Sequence, residues 1–501
     1  MTKALLDKIV DLAVRRGIFF PTAEIYHGPA GFYDLGPLGS LMKHNIIQYW
    51  REFFILRETK INIYEIDGSI ILPYTALKAS GHVDKFTDPK TECRRCGRIY
   101  RADHLIEEVI SISVEGKSLE EIEGVIAEHN IRCPSCGGEL GEIKPHHLMF
   151  KTEIGAAGEV AFLRPETAQN IFLDFKRVYY SMRCKLPFGI AQVGRSYRNE
   201  ISPRQSLFRL REFTQMEIEM FIAPEDLNTH PSFDEVRDVK IRILTREEQL
   251  KERPEVVEIS AKDAVEEGVV PNQYMAYYLA RETQFYMSLG IPFESIRFRH
   301  LLPEETPHYS GGNFDLEVRF SFGWKEIVGN AYRTDYDLST HSRFSGEELA
   351  VQHNGRKVTP HVIEPSFGIE RTLYALLEFS YSEDERGWPV LKLPRRVSPV
   401  KAAVLPLMRK DGLDEKAYSI YSSLRRVPNP CYVVYDDTGS IGRRYARADE
   451  IGVNLCITID YQTLEDDTVT VRDRDTKQQI RVKASELMDI ITKDTLRPVI
   501  G

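Results

Sequence analysis

No stretch of the 501 residues comes near the roughly 18 consecutive apolar residues that a membrane-spanning helix needs. No membrane association is expected. Cysteine is scarce. Seven in a chain this long are far from the density of a secreted disulfide scaffold, so a reducing, cytoplasmic setting is expected. Positive charge is not in excess either: 66 Lys and Arg against 75 Asp and Glu leave a formal charge of −9, so any nucleic-acid partner must meet a local basic patch. The GxxxxGK[ST] stretch of a P-loop is missing, and so is the GxGxxG of a dinucleotide fold. There is no internal repeat and no low-complexity tract. Leu5–Val14 is interrupted by Asp7, Lys8 and Asp11 and so is no signal-peptide core. It reads as a short amphipathic helix ended by Gly17. What remains is a chain of 42% hydrophobic residues, long enough for roughly two to four domains.

The most informative stretch is Phe188–Phe221, which reads as two antiparallel strands around a loop at Ile201-Ser202-Pro203. Side chains of a strand alternate between faces. Gln192, Ser196, Arg198 and Glu200 therefore share one face of the first strand, and Arg209, Arg211, Phe213, Gln215, Glu217 and Glu219 one face of the second. Phe208, Leu210, Met216, Ile218 and Met220 lie behind, toward a core. Arginines with one aromatic suit a planar, phosphorylated ligand, and Glu217 can hold an ammonium. A solvated sheet face with cross-strand ion pairs fits the same alternation.

Upstream, His27–Phe54 begins as a turn-rich segment and continues, from a cap at Ser40, as a helix with Leu41, Met42, Ile46, Ile47, Trp50, Phe53 and Phe54 on its apolar side. A strand is expected over Ile63–Leu72, stopped by Pro73. Cys93-Arg-Arg-Cys96 and Cys133-Pro-Ser-Cys136 supply four thiolates, enough for a closed structural zinc site. A redox pair or unliganded thiols are the alternatives. The span between them, Ala102–His129, looks largely helical. Arg164-Pro165-Glu166-Thr167-Ala168-Gln169 opens a helix, with Pro165 in its first turn and Glu166 at its positive end.

Pro224 to about Gly290 is rich in charge and helix formers and reads as an inserted, partly helical module. It suits an RNA contact and a solvated spacer equally. Asn313–Arg333 alternates again, leading to Gly323-Trp324-Lys325-Glu326-Ile327. His361–Glu378 is a short strand, then Glu364-Pro-Ser366-Phe-Gly368, then a helix with Arg371 in its first turn, a reasonable anion site. A surface arginine would look the same. After a linker at 393–399 come strands at 400–405, 430–435, 455–459, 468–473 and 479–482 with helices at 415–425 and 441–451, a small α/β domain with a mixed sheet.

Tyr197-Arg198-Asn199-Glu200 followed by Phe208-Arg209-Leu210-Arg211-Glu212-Phe213 resembles the second signature motif of class II aminoacyl-tRNA synthetases. With Arg164–Gln169 and Glu364–Gly368, the chain resembles the homodimeric, class IIa glycyl-tRNA synthetase family from about Phe19 to Thr495. The helix of residues 40–54 with its strand and Pro73 is similar to the first motif, which implies a dimer interface; an ordinary core face has the same pattern. His361–Glu378 is similar to the third motif. The HIGH and KMSKS strings of class I synthetases are absent.

The resemblance implies an α+β fold: an antiparallel class II sheet flanked by helices, in parts 1–88, 145–223 and 295–394. A zinc-ribbon-like insertion at 89–144 and a helical one at 224–294 interrupt it, and an α/β anticodon-binding domain follows at 399–501. It implies glycine activation with ATP and Mg²⁺ and transfer to tRNA(Gly). Arg198, Glu200 and Arg371 are the implied catalytic residues. The implied ATP contacts add Asn199, Phe208, Arg209, Leu210, Phe213, Glu326, Ile327 and Gly368, with Glu326 on magnesium. The implied glycine contacts are Arg101, Glu166, Phe213, Gln215, Glu217, Glu364 and Ser366. In Gly439–Glu450 the likeness is to the anticodon-binding domain, with Arg443, Arg444 and Arg447 meeting RNA phosphates. Synthetase-like folds also serve as non-catalytic nucleic-acid-binding subunits, but those lose the motif arginines and carboxylates, all of which are present here. A class II enzyme for proline, threonine or histidine fits the motifs but not Arg164–Gln169 and Glu364–Gly368.

Overall fold

The computed structural model describes residues 2–110, 112, 114, 116–203, 206–306, 310–427 and 432–493. Helix α1 (Thr2–Arg15) ends where Gly17 takes a left-handed conformation, as the sequence suggests. Helix α2 (Pro37–Trp50) starts earlier than expected. Gly36 precedes it and Pro37 opens it, because proline needs no amide partner in a first turn, so Ser40 lies inside the helix rather than capping it. It runs on into a wider π-type turn, Arg51–Leu56. Met42, Ile46, Trp50 and Phe54 all pack into the chain's own core. The apolar spacing of α2 is thus explained within one protomer.

Nine strands form the central sheet. In chain order they are β1 (Ile63–Ile66), β2 (Phe188–Tyr197), β3 (Glu212–Ile222), β4 (Lys240–Leu244), β5 (Val257–Ser260), β6 (Ile296–His300), β7 (Gly312–Phe320), β8 (Gly323–Thr334) and β9 (His361–Gly368). Their spatial order is β5-β4-β6-β7-β8-β9-β3-β2-β1. Pairing is antiparallel except for β1 with β2 and β4 with β6. The strand expected over Ile63–Leu72 is split: after Ile66 the chain leaves the sheet, and Ile71–Pro73 joins a separate three-stranded sheet. Asp67-Gly68 makes the break, with Gly68 so close to Asn170 that a Cβ would lie 2.6 Å from its side chain. Helix α3 (Ala168–Ser181) covers one end of the sheet.

The 224–294 segment is no helical appendage. It supplies edge strand β5, its inner neighbour β4, and helix α4 (Gln273–Ser288), whose Tyr274, Met275, Tyr278 and Phe285 are buried in the main core. Sequence reasoning missed both strands because Lys240, Arg242 and Glu258 interrupt their apolar residues, as the edge position of β5 allows for Glu258. Helices α5 (Tyr336–Ser345) and α6 (Ile369–Ser380) follow β8 and β9.

His230, in the loop before β4, stacks on Tyr277 of α4 at 3.9 Å between ring centroids. Burial pushes its pKa down to about 3. An unfolded histidine titrates near 6.5. The stability this neutral ring contributes is therefore complete above pH 6.5 and is lost as pH falls from there toward 3. In a His230→Gln variant the melting temperature should fall less steeply between pH 7.5 and 5 than in the wild type. Equal slopes would show that the ring protonates freely in the fold.

The C-terminal unit pairs β10 (Ala402–Pro406), β11 (Val433–Tyr435), β12 (Leu455–Ile459), β13 (Thr468–Asp473) and β14 (Gln479–Lys483) in the order β11-β10-β12-β13-β14. The first three are parallel and the last three antiparallel, the mixed sheet expected. The start of the strand expected over 430–435 lies outside the described residues. Helices α7 (Leu413–Arg425) and α8 (Ile441–Glu450) pack against it. Glu450, buried at the end of α8, receives ion pairs from Arg15 and Arg16 at the end of α1.

Candidate active site

The β2–β3 hairpin forms as read, with Gln192 opposite Glu217, Gly194 opposite Gln215 and Ser196 opposite Phe213. Its strands are shorter than the alternation suggests. β2 ends at Tyr197 and β3 begins at Glu212, so Arg198, Glu200, Arg209 and Arg211 lie in the connecting loop. The described ends of that loop are held by their own polar groups. The Arg198 amide donates to the Arg211 carbonyl (2.9 Å), and the Arg211 guanidinium clamps the carbonyls of Glu200 (2.8 and 3.0 Å) and Ala30 (2.9 Å). Arg211 is thereby spent on structure.

Over the hairpin opens a cleft of about 570 Å³, within the usual size for a small-molecule site. One end is cationic. Arg198 lies between the rings of Phe86 and Phe213, 5.4 Å from each centroid, and its Nε donates to the Pro165 carbonyl (3.1 Å). Glu200 meets Arg209 at 3.3 Å. Arg371, at the start of α6, pairs with Glu326 of β8 (3.0 Å) and donates to the Phe208 carbonyl (3.2 Å). Burial alone would raise the Glu326 carboxyl, but Arg371 holds it below its ordinary value. Beneath it Asp315 is pushed well up by burial and by Glu326. Leu210, Ile327 and Gly368 complete this wall.

The other end is acidic. Glu166, Gln215, Glu364 and Ser366 reach the cleft, and Glu217 lies fully buried beneath it. Gln215 Nε2 donates to Ser366 Oγ (3.0 Å), and Thr167 donates its hydroxyl to Glu217. Glu166 and Pro165 precede α3 rather than forming its first turn, since α3 begins at Ala168. Burial would raise Glu166, yet His82 at 3.6 Å, Arg333 and Gln169 keep it well below its ordinary value. Glu217 goes the other way: burial, with Glu364 and Glu166 near, raises it well above the carboxylate range.

Besides the buried Glu217, one implied residue does not line the cleft. Asn199 uses its backbone, accepting from His146 Nε2 (2.8 Å) and donating to the Leu148 carbonyl (2.6 Å), and does not line the cleft. Arg101 does line it, held by Asp88 and Asp103 at 2.8 Å each. Burial pushes Asp88 up to about 6, against the pull of Arg101. Sequence reasoning missed His104, whose ring lies 2.9 Å from Arg209, and Arg333, which bridges Glu364 (2.6 Å) and Asp337 (2.7 Å). The spacing of Arg333 and Asp337, four apart across a strand-to-helix junction, was the available signal.

The matching follows this geometry. Residues 150–380 match the family model of the tRNA synthetase class II core domain (G, H, P, S and T), and residues 401–494 that of an anticodon-binding domain. Curated glycine–tRNA ligases align along nearly the whole chain. That of Methanocaldococcus jannaschii is 44% identical over 98% of this chain and 99% of its own. Those of Aeropyrum pernix and Pyrococcus furiosus are also 44% identical, over 98% and 96% of this chain and 96% and 97% of theirs. The chain belongs to the glycine–tRNA ligase family.

In this member of the family four cysteines that could hold a metal ion sit apart from the cleft. Cys93, Cys96, Cys133 and Cys136 bring their Sγ atoms within 4.8 Å of one another. Each CxxC is closed by a left-handed glycine, Gly97 and Gly137, whose amide returns to the first cysteine's carbonyl at 2.9 and 2.8 Å. Of Arg443, Arg444 and Arg447, only Arg443 is exposed. Arg444 is buried and bound to the carbonyls of Pro406, Asp437 (2.5 Å) and Gly439 (2.7 Å), and Arg447 pairs with Asp436 (2.6 Å). Arg444, expected on RNA, instead shapes the loop before α8.

Proposed function

We propose that the cleft joins glycine to ATP, releasing pyrophosphate, and then passes the glycyl group from the adenylate to the terminal ribose of tRNA(Gly). The observation that carries this is the division of one cleft into a cationic end at Arg198, Arg209 and Arg371 and an acidic end at Glu166, Glu217 and Glu364. Arg198 reaches both halves, so it bridges the α-phosphate and the glycine carboxylate. Glu200 orders Arg209 and faces the adenine. Phe213 stacks on the base, with Phe208, Leu210, Ile327 and Gly368 around it. Arg209 and Arg371 hold the outer phosphates. Gln215 and Ser366 fix the glutamates that receive the ammonium, and Arg101 stands at the rim. The glycine carboxylate attacks the α-phosphorus in line and pyrophosphate leaves. No protein nucleophile is needed, and acceleration comes from positioning and from charge placed in advance.

Glu326 would hold Mg²⁺ delivered with ATP, since its carboxylate stays ionised at the cleft wall and hard cations take oxygen ligands. The metal supplies charge neutralisation at the phosphates. The cysteine set fits zinc. A Zn–S bond of about 2.3 Å in a tetrahedron puts sulfurs about 3.8 Å apart, and two of the Sγ pairs lie at 3.5 and 3.7 Å. Purified protein should carry one zinc per chain. Cys133→Ser should lose it and open the 89–144 region to protease, with elemental analysis and limited proteolysis as the readouts. Full zinc content in that variant would remove the cysteines from the site.

We also place the protein in the cytoplasm as a homodimer, in keeping with the resemblance of its first motif. The exposed Ile25 and Tyr26 beside the turn-rich segment offer apolar surface for a partner copy. The decisive experiment is ATP–pyrophosphate exchange with each common amino acid in turn, followed by aminoacylation of tRNA(Gly). Exchange with glycine alone is expected. Exchange with another amino acid would overturn the pocket assignment while leaving the chemistry.

A further inference from the structure

Glu219 has no part in the reading above. It is fully buried on β3, two residues beyond Glu217 and on the same face, and neither carboxylate oxygen has a hydrogen-bond partner among the described residues. Across the sheet, β9 brings up Glu364, so that one oxygen from each of Glu217, Glu219 and Glu364 lies within 4.8 Å of the others. On the other flank, β2 places Gln192 opposite Glu217. Its side chain is buried as well, and neither amide atom is paired. The remaining charges around the cluster are Arg333 from β8, Asp337 from α5, and Glu166 and Arg164 from the segment before α3. Arg164 faces Glu217, but its guanidinium is engaged by the carbonyls of Arg195 (2.8 Å) and Gly68 (3.0 Å) and by Asn170 (3.1 Å). Arg333 is shared by Glu364 and Asp337 and does not neutralise three carboxylates.

Like charges this close in a water-poor site do not all ionise; they share protons. Burial, with Glu364 beside both, pushes Glu217 and Glu219 well above the ordinary range. Glu217 receives the Thr167 hydroxyl and has Gln215 Nε2 at 3.4 Å, whereas Glu219 is offered no donor. A carboxyl without a donor is better held as the acid, donating its own O–H to a neighbouring carboxylate.

We propose that glycine binding is proton-linked: the empty pocket stores a proton on Glu219 within the Glu217–Glu219–Glu364 cluster, and the arriving ammonium displaces it to solvent. One O–H bond breaks and the proton passes to buffer. The ammonium supplies the positive charge and the N–H donors that replace it, and no electrons are transferred. The inference rests on the reading that the ammonium binds at this floor.

The test is calorimetric titration of the full-length protein with glycine at pH 7 in buffers of different ionisation enthalpy. It is paired with the pH dependence of KM for glycine in ATP–pyrophosphate exchange. About one proton should be released per glycine, and KM should fall by up to tenfold per pH unit below the cluster's titration. In Glu219→Gln, the release should drop to near zero and the KM profile should flatten. Glu219→Asp, which keeps an ionisable group, should restore both, and melting curves confirm that each variant is folded. Glycine binding without proton release in the wild type, or undiminished release in Glu219→Gln, would overturn the linkage while sparing the pocket. Glycine affinity unchanged in Glu217→Gln would instead overturn the pocket itself, and the linkage with it.

Discussion

The Arg198→Ala protein should fold normally and lose about a thousandfold in glycine-dependent ATP–pyrophosphate exchange, the scale of removing one charge-stabilising donor from a preorganised site. Its contacts within the protein are few: a hydrogen bond to the Pro165 carbonyl and two aromatic faces. Their loss leaves no buried charge stranded. The guanidinium is held at its Nε, which leaves both terminal nitrogens for ligand, the fork that binds a phosphate or carboxylate in two places. Arg198→Lys should recover little, because an ammonium cannot make that fork. Exchange kinetics and melting curves on the same preparations decide the matter. A folded variant with wild-type rates would remove Arg198 from the chemistry.

Glu217→Ala and Glu364→Ala should each cut glycine activation by about 10- to 100-fold, the value of a charge-assisted hydrogen bond to the ammonium. They should also narrow the margin against L-alanine. Glycine offers no side chain to recognise, so selectivity must come from denying a methyl group its space. In the proposed pocket the carboxylates that would receive the ammonium also fill that space. Truncating either removes a methylene and a carboxylate, more than the room the refused methyl needs. The two variants should differ in stability. Glu364→Ala deprives buried Arg333 of one carboxylate while Asp337 still holds it. Glu217→Ala removes a group that is itself costly to bury. Parallel assays with glycine and L-alanine, each with a thermal melt, separate loss of function from loss of fold. Wild-type activation rates in both variants would refute the pocket.

Much of this arrangement was legible beforehand, and the reason is local. Period-two alternation in Gln192–Ser196 and Phe213–Glu219, and in Phe314–Phe320, marks strands whose two faces see different surroundings. The start of α6 at Ile369, with Arg371 in its first turn, follows from a glycine ahead of a helical apolar pattern. Where alternation misled, residue type outlasted geometry. Arg198, Glu200, Arg209 and Arg211 continue the polar pattern, but the backbone has already turned away from the ladder, and pattern alone carries no mark of that change. Other features have no local signature at all. The grip of Arg333 on Glu364 joins residues 31 apart, and the hydroxyl of Thr167 finds Glu217 across 50 positions. Arg444 illustrates the converse: the likeness to an anticodon-binding domain implied RNA, while its surroundings in the fold are backbone carbonyls.

The ion pairs from Arg15 and Arg16 to Glu450 span 435 and 434 residues of chain. A ribosome adding about 5–20 residues per second needs roughly 20–90 s to travel that distance. Throughout that interval α1 can lie against the growing core, but its two terminal arginines have no Glu450 to meet. They close only when the C-terminal unit has emerged and folded. A chain stalled before residue 450 therefore displays a basic helix end that Glu450 neutralises in the finished molecule, a difference of surface charge between unfinished and complete copies.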